Sequence, residues 1–434
     1  MNSINLENTY TSLPQEFFRY TEAEAMPDVN VVTINEHLAD LLDSDTGLLK
    51  SQSGLRFLSG KNSKTLPNSI SLAYAGHQFG HLVPQLGDGR AVLLGDKICQ
   101  DGVRRDIQLK GSGKTYFSRG GDGRAGIGPV IREYLISESM HHLGVPTTRS
   151  LAVLLTGEKV VRAEVSPGAM LARVAKSHVR VGTFEFFAIR NQKDHIRKLA
   201  DFMIERSHPD LSDKKEKYEL FFERIVKGQA SLVAQWNSVG FIHGVMNTDN
   251  TSISCETIDY GPCAFMDSYE ANKVFSSIDQ YGRYAFSNQS RVAPWNLSRL
   301  AETILFLISK NTSDAIKVVE EILFDFDKNF NNSLDILISH KLGFKNNSKK
   351  TSSLYSELLN LMEAGKADFT GTFKSLKATL IKEDDTIFLN NFRNSDEENL
   401  HAVSQWLGNW RKLLQEISKS KTEAIELLSS SNPE

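Results

Sequence analysis

Between residues 82 and 165 short apolar runs alternate with glycine-rich turns, and the pattern predicts strands at 82–86, 91–94, 103–109 and 159–165. One helix interrupts them. Pro129 suits a first helical position, Val130, Ile131, Tyr134, Leu135 and Leu143 approximate one apolar stripe, and Gly144 with Pro146 beyond it ends the run. Beyond about residue 180 the period turns helical, with Phe221, Phe222, Ile225, Val226, Leu232, Val233 and Trp236 spaced for one face before Gly240. Short strand-like pieces come next, at 252–254 and 257–259. The last third predicts amphipathic helices at 300–308, 315–324, 354–362 and 403–417, joined by Asn-, Ser- and Lys-rich loops such as 345–353. Residues 1–70 mix apolar pieces (Phe17, Phe18, Val31, Val32, Ile34) with polar ones, and are expected to brace the β-rich region after them. No internal repeat or long low-complexity tract is present.

The expected class is α+β, a β-rich N-terminal part with one helix and a larger helical C-terminal part. A chain of 434 residues exceeds what one hydrophobic core usually supports, so two domains are expected, 1–175 and 176–434. A formal net charge of -3 argues against nucleic-acid or membrane-surface binding driven by bulk basic charge. Three cysteines, Cys99, Cys255 and Cys263, contain no CxxC pair and form no disulfide framework, which points to a reducing compartment. No apolar run reaches the roughly 20 residues of a membrane helix. The start, MNSINLENTYTSL, has neither region of a signal peptide. A cytoplasmic monomer is the expectation.

Several segments carry chemistry. Gly87-Asp88-Gly89-Arg90 lies between apolar runs, where backbone N–H groups can approach a phosphate because glycine has no Cβ; it also reads as a simple Asp-Gly hairpin turn. In 103–110 the period of two puts Ile107 and Leu109 on one face, Gln108 and Lys110 on the other, so Lys110 points away from the core of its lobe. Glu133, in the helix after the sheet, could pair with Lys110 as a kinase helix glutamate pairs with the strand lysine that holds ATP phosphates; a surface glutamate is the alternative. Residues 111–128 contain seven glycines together with Arg119, Asp122, Gly123 and Arg124, a functional glycine loop or a mobile surface one. Arg173 and Arg180 flank Lys176, and guanidinium forks suit phosphate oxygens, though an exposed basic turn would look the same.

The most specific segment is Phe241-Ile242-His243-Gly244-Val245-Met246-Asn247-Thr248-Asp249-Asn250, with Asp259-Tyr260-Gly261 beyond it. Asp259-Tyr260-Gly261 is similar to the kinase Asp-Phe-Gly, whose aspartate binds Mg2+. Magnesium prefers hard oxygens, which Asn250 and Asp259 offer, leaving Asp249 to orient or deprotonate a hydroxyl; capping of a turn is the plainer role for an Asp-Asn pair. His77 and His81 sit at i,i+4 but lack the glutamate of a zinc-protease motif and enclose Gly80, so metal binding there is not expected. Cys255 and Cys263 read as ordinary buried thiols.

Taken together, Tyr74-Ala75-Gly76-His77-Gln78-Phe79-Gly80 and the stretches 86–90, 108–115, 121–124, 141–147, 168–182, 243–261 and 279–286 with Trp295-Asn296-Leu297 resemble the selenoprotein O family in order, over roughly 70–300. The resemblance implies a bilobal protein-kinase-like fold and ATP bound in a flipped orientation that presents the α-phosphorus, so that AMP passes to Ser, Thr or Tyr hydroxyls of protein substrates. It implies nucleotide contacts at Gly87, Gly89, Arg90, Asp122 and Gly123, Lys110 on a phosphate and paired with Glu133, and Arg173 and Arg180 on the leaving pyrophosphate. Asp249 would accept the proton, and Asn250 and Asp259 would hold Mg2+ or Mn2+. The kinase His-Arg-Asp reads His243-Gly244-Val245 here, so Asp249 must stand in for the missing aspartate. The family usually continues past an Asn-Pro segment toward a cysteine or selenocysteine motif, whereas this sequence ends at Ser431-Asn432-Pro433-Glu434; the expectation is a chain without that redox element. A kinase-like phosphotransferase and a non-catalytic ATP-binding pseudokinase are the competing readings.

Overall fold

The computed structural model describes residues 5–61, 68–392, 395–417 and 420–432. Its contacts group into two units, one of Met1–Ile225, Asn247–Gly261 and Trp295–Leu323, the other of Val226–Met246, Pro262–Pro294 and Phe324–Glu434. The class is α+β.

In the first unit the strands are β1 (Phe18–Tyr20), β2 (Asn30–Ile34), β3 (Ile70–Leu72), β4 (Gly76–Gln78), β5 (His81–Val83), β6 (Ala91–Ile98), β7 (Arg104–Lys110), β8 (Ala125–Gly126), β9 (Arg149–Val161) and β10 (Val165–Ala175). The main sheet is antiparallel, in the order β1-β3-β6-β7-β10-β9-β2, with β8 also on β10; β4 and β5 form a separate hairpin. Residues 1–70 thus supply strands β1 and β2 and the start of β3 to the sheet. The strand expected at 159–165 is the end of one long strand and the start of the next, because the chain turns at 162–164, where the Arg162 amide donates to the Glu164 carbonyl.

Period-two alternation gives this sheet two different faces. Ile107 and Leu109 of β7 join Met170, Ala172 and Val174 of β10 in a core that also holds Leu38, Ala39, Leu49 and Leu58 from the short helices α1 (Glu36–Leu41), α2 (Thr46–Lys50) and α3 (Gln52–Leu58). The opposite face carries Gln108, Lys110 and Arg173, and Arg173 lies directly across from Gln108 in the register. Lys110 indeed leaves the apolar core, and its face is covered instead of open to water.

Helix α4 (Ile127–His142) supplies part of that cover. The expected stripe is only half right: Val130 is buried, yet Ile131 and Leu135 are exposed, and the buried face carries Glu133, Ser137, Glu138 and Met140. Both carboxylates are buried together with partners. Glu138 accepts from Arg149, Asn35 and the Ser150 amide, while Glu133 turns toward Lys110 and Arg173. The pieces expected as strands at 252–254 and 257–259 make single bridges, Arg180↔Ser252 and Thr147↔Thr257.

The second unit is helical, with a core where Phe388, Trp406 and Trp410 stack in sequence. Each of these two buried indole N–H groups donates to a carbonyl, Trp406 to Leu354 and Trp410 to Leu342, both at 2.9 Å, so neither donor is left unsatisfied. The stretch expected as a loop at 345–353 ends early, because Ser348 caps the helix Lys349–Gly365 through the Thr351 amide. Among the described residues no helix is long and apolar enough to cross a membrane.

Lys341 is buried in this unit, with Nζ donating to Asn432 Oδ1 at 2.9 Å and lying 4.6 Å from the Phe373 ring centre. Burial lowers its pKa from 10.5 to about 7. Below pH 7 folded and unfolded chains both carry the proton, and the cost of burying it is present in full. Between pH 7 and 10.5 only the unfolded chain retains it, so stability rises with pH. Lys341→Met is expected to stabilise by about 1–4 kcal/mol at pH 6, a gain that shrinks across that window when denaturant midpoints are compared at several pH values.

Candidate active site

Five of the residues singled out by sequence converge in the first unit. Lys110 Nζ donates to Glu133 Oε2 and to Asp259 Oδ1, both at 2.7 Å. Arg173 Nη1 reaches the same Asp259 oxygen at 2.7 Å and Glu133 Oε1 at 3.2 Å. Arg180 Nη1 donates to Asp259 Oδ2 at 2.5 Å and to the main-chain oxygen of Asp249 at 2.6 Å. Three cations therefore face two carboxylates in direct contact, an arrangement suited to a polyanion.

Local hydrogen bonding puts these groups there. The Thr148 amide donates to the Thr257 carbonyl and the Thr257 amide to that of Pro146; the Val181 amide donates to Thr251 and the Ile253 amide to Val179. Both acidic segments are thereby tied to the chain entering β9 and leaving β10. Asp259 itself adopts a left-handed backbone, φ 63°, a conformation costly for a residue with a Cβ. Its three ionic partners hold it there. Burial would raise its pKa, but Lys110, Arg173 and Arg180 outweigh that and keep the carboxyl well below the usual range.

Asp249 is different. It lies in the short turn Thr248–Asn250, and burial raises its pKa to about 6, against the pull of Arg180 and the hydrogen bond from Gln78. Gln78 Nε2 donates to Oδ2 at 3.4 Å, whereas Oδ1 is buried with no hydrogen-bond partner among the described residues. A Cβ at Gly76 would stand 2.6 Å from that oxygen, so only glycine lets the carboxylate sit against the hairpin.

Sequence reading missed several members of this assembly. Asp88 Oδ2 accepts from Gln108 Nε2 at 2.9 Å, and Gln108 Oε1 accepts from Arg173 Nε at 2.8 Å, which fixes the guanidinium from behind. Tyr74 places its ring 4.6 Å from the Arg180 guanidinium carbon. Glu185, the lone charged residue of helix α5 (Val181–Ala188), accepts from Thr248 and engages His77. A carboxylate inside the apolar run Val-Gly-Thr-Phe-Glu-Phe-Phe was the signal that could have found it.

The remaining expected positions have surroundings of their own. Gly87 and Gly89 pack on residues 117–118, where a Cβ at Gly87 would lie 2.3 Å from the Phe117 ring; their identity is dictated by the chain's own packing. Arg90 is exposed. Asp122 is exposed and bound bidentately by Arg162, which with the Arg124 amide lowers its pKa to about 2. Gly123 sits against Gly113. Asn250 is half-buried, next to Asp249 in the chain. His77 and His81 lie on a hairpin, not on a helix, and all three cysteines are free thiols.

Among the described residues no group of three or more His, Cys, Asp or Glu is placed to hold a metal. Asp259, whose carboxyl is held well below the usual range, and Asn250, through its amide oxygen, are hard-oxygen groups of the kind Mg2+ takes, and both oxygens of Asp259 are bonded to Lys110, Arg173 and Arg180.

A model of the family described as protein adenylyltransferase SelO matches residues 1–434. The chain belongs to that family. It is 47% identical over 427 residues to a protein nucleotidyltransferase YdiU of Bradyrhizobium sp. (strain BTAi1 / ATCC BAA-1182), covering 98% of this chain and 86% of that protein. A protein of the same description from Clostridium botulinum (strain Okra / Type B1) is 46% identical over 430 residues, covering 99% and 85%, and one from Nitrobacter winogradskyi is 48% identical over 417, covering 95% and 81%. Membership of the SelO family makes the chain an enzyme of the nucleotidyltransferase class, with ATP as the implied substrate.

The charge balance around Asp259 has a measurable consequence. Asp259→Ala leaves Arg180 without a carboxylate and Lys110 and Arg173 sharing Glu133 alone. It is expected to cost about 3 kcal/mol in denaturant unfolding; an unchanged midpoint would show the ion cluster to be loose.

Proposed function

We propose that this chain transfers AMP from ATP to Ser, Thr or Tyr hydroxyls of other proteins and releases pyrophosphate, in a bilobal kinase-like arrangement. The observation that carries the reading is the gathering of Lys110, Arg173 and Arg180 on Asp259, with Arg180 also bound to the main chain of Asp249. The three cations bind phosphate oxygens and offset the charge that builds up on the departing pyrophosphate. Asp249 takes the proton of the acceptor hydroxyl as its oxygen bonds to the α-phosphorus and the bond from that phosphorus to the bridging oxygen of the β-phosphate breaks. A pKa of about 6 leaves this carboxylate ionised at neutral pH yet basic enough to accept the proton. The backbone at Gly87, Gly89, Asp122 and Gly123 and the side chain of Arg90 are further nucleotide contacts.

Asn250 and Asp259 would hold Mg2+ or Mn2+, which when bound supplies further positive charge to the phosphate oxygens. The near-neutral charge and the free cysteines favour a reducing, cytoplasmic setting without nucleic-acid partners. Transfer of AMP is preferred over transfer of the γ-phosphoryl group because the kinase His-Arg-Asp aspartate is replaced in His243-Gly244-Val245.

Parallel incubations with α-labelled and γ-labelled ATP test this. Label is expected on protein from the α position alone; label from the γ position alone would establish a phosphotransferase. Asp249→Asn is expected to lower the transfer rate by about 10²–10⁴-fold while nucleotide binding persists. In the unchanged chain the rate should fall as the pH drops through about 6, where Asp249 takes up a proton.

A further inference from the structure

The hairpin of β4 and β5 takes no part in the main sheet, yet three consecutive residues of it grip three consecutive residues of the Asp249 segment. The His77 amide donates to Thr248 Oγ1 at 2.6 Å, Gln78 Nε2 to Asp249 Oδ2 at 3.4 Å, and the Phe79 amide to Asn247 Oδ1 at 3.2 Å. Phe79 and Gly80 turn the hairpin with φ of 52° and 85°, so a strained non-glycine turn is maintained at this place.

Thr248 is the node. Its hydroxyl accepts from the His77 amide and donates to Glu185 Oε2 at 2.5 Å, while the other Glu185 oxygen engages His77 Nδ1. Glu185 and Thr248 are both buried, Glu185 on a helix whose other residues from Val181 to Phe187 are uncharged and buried. Burying a carboxylate there is costly, and apolar packing alone would be served better by Leu or Met. The hydroxyl-to-carboxylate bond instead locks the turn that presents Asp249.

We infer that Thr248 and Glu185 are positioning residues for the transfer: together with the hairpin they fix the turn that sets the direction of the Asp249 carboxylate, whose Oδ2 is held by Gln78 and whose Oδ1 packs against Gly76. This rests on the reading of Asp249 as proton acceptor. Neither residue touches nucleotide or acceptor; each acts through the direction in which the carboxylate points, where displacements on the order of 1 Å change rates by about 10²-fold.

The test uses the full chain and α-labelled ATP. Thr248→Val keeps the shape and removes the hydroxyl; it is expected to lower kcat by about 100-fold with KM for ATP within about twofold of the original. Thr248→Ser restores the hydroxyl and is expected to recover kcat to within about threefold, and Glu185→Met to act on kcat as Thr248→Val does. Wild-type kcat in Thr248→Val would overturn the inference. So would a joint loss of kcat, KM and thermal midpoint that Ser fails to rescue, since that is the behaviour of a merely structural contact. Should Glu185→Met fail to fold, the Val and Ser pair still decides. Asp249→Asn is measured alongside: transfer at the original rate in that variant sinks the proton-acceptor reading itself, independently of Thr248.

Discussion

Like charges gathered inside a protein repel, and the repulsion among Lys110, Arg173 and Arg180 is offset by Glu133 and Asp259, which stand between them. That ionic cluster sets demands on the rest of the first unit. The sheet must present Lys110 and Arg173 on one face, helix α4 must turn an acidic side toward them, and the segment ending at Asp259 must cross back over the ends of the strands. Three ionic partners hold Asp259 in a backbone conformation it would otherwise avoid.

The two carboxyl groups most concerned with chemistry differ because of what surrounds them. Asp259 meets three cations and remains ionised; Asp249 meets burial, one amide hydrogen bond and a more indirect cation, and its pKa climbs to about 6. In the proposed reaction, separating two acids in this way gives them different tasks, one to hold positive charge and the other to receive a proton. Behind both lies a layer of neutral and acidic partners, Asp88 and Gln108 behind Arg173, and Glu185 and Thr248 beside Asp249, that hold the charged groups in orientation.

Much of this could be read from the chain. Alternation in 103–110 separated Lys110 from Ile107 and Leu109, and the spacing of Arg173 and Arg180 marked a basic concentration in a nearly neutral protein. The reading of helix α4 failed where an apolar stripe was assumed to be the buried one: Glu133 and Glu138 displace Ile131 and Leu135 from the interior because each has a cation to meet there. The run 159–165 looked like one strand since the alternation of Val161, Ala163 and Val165 with Arg162 and Glu164 continues through the turn of a long hairpin. Gln78 and Thr248 were invisible as site residues, for an amide and a hydroxyl carry no signature until their partners are known.

The sequence by itself determined the α+β class, the family, the elements around the glycine-rich turns and the identity of the ionic residues, because periodicity, glycine placement and ordered motifs are local properties of the chain. Tertiary structure alone decided which charges meet, which carboxylate is raised and which is lowered, and that a hairpin far away in sequence holds Asp249. Those outcomes depend on burial and on distances of a few ångströms between segments far apart along the chain, and no local pattern encodes them.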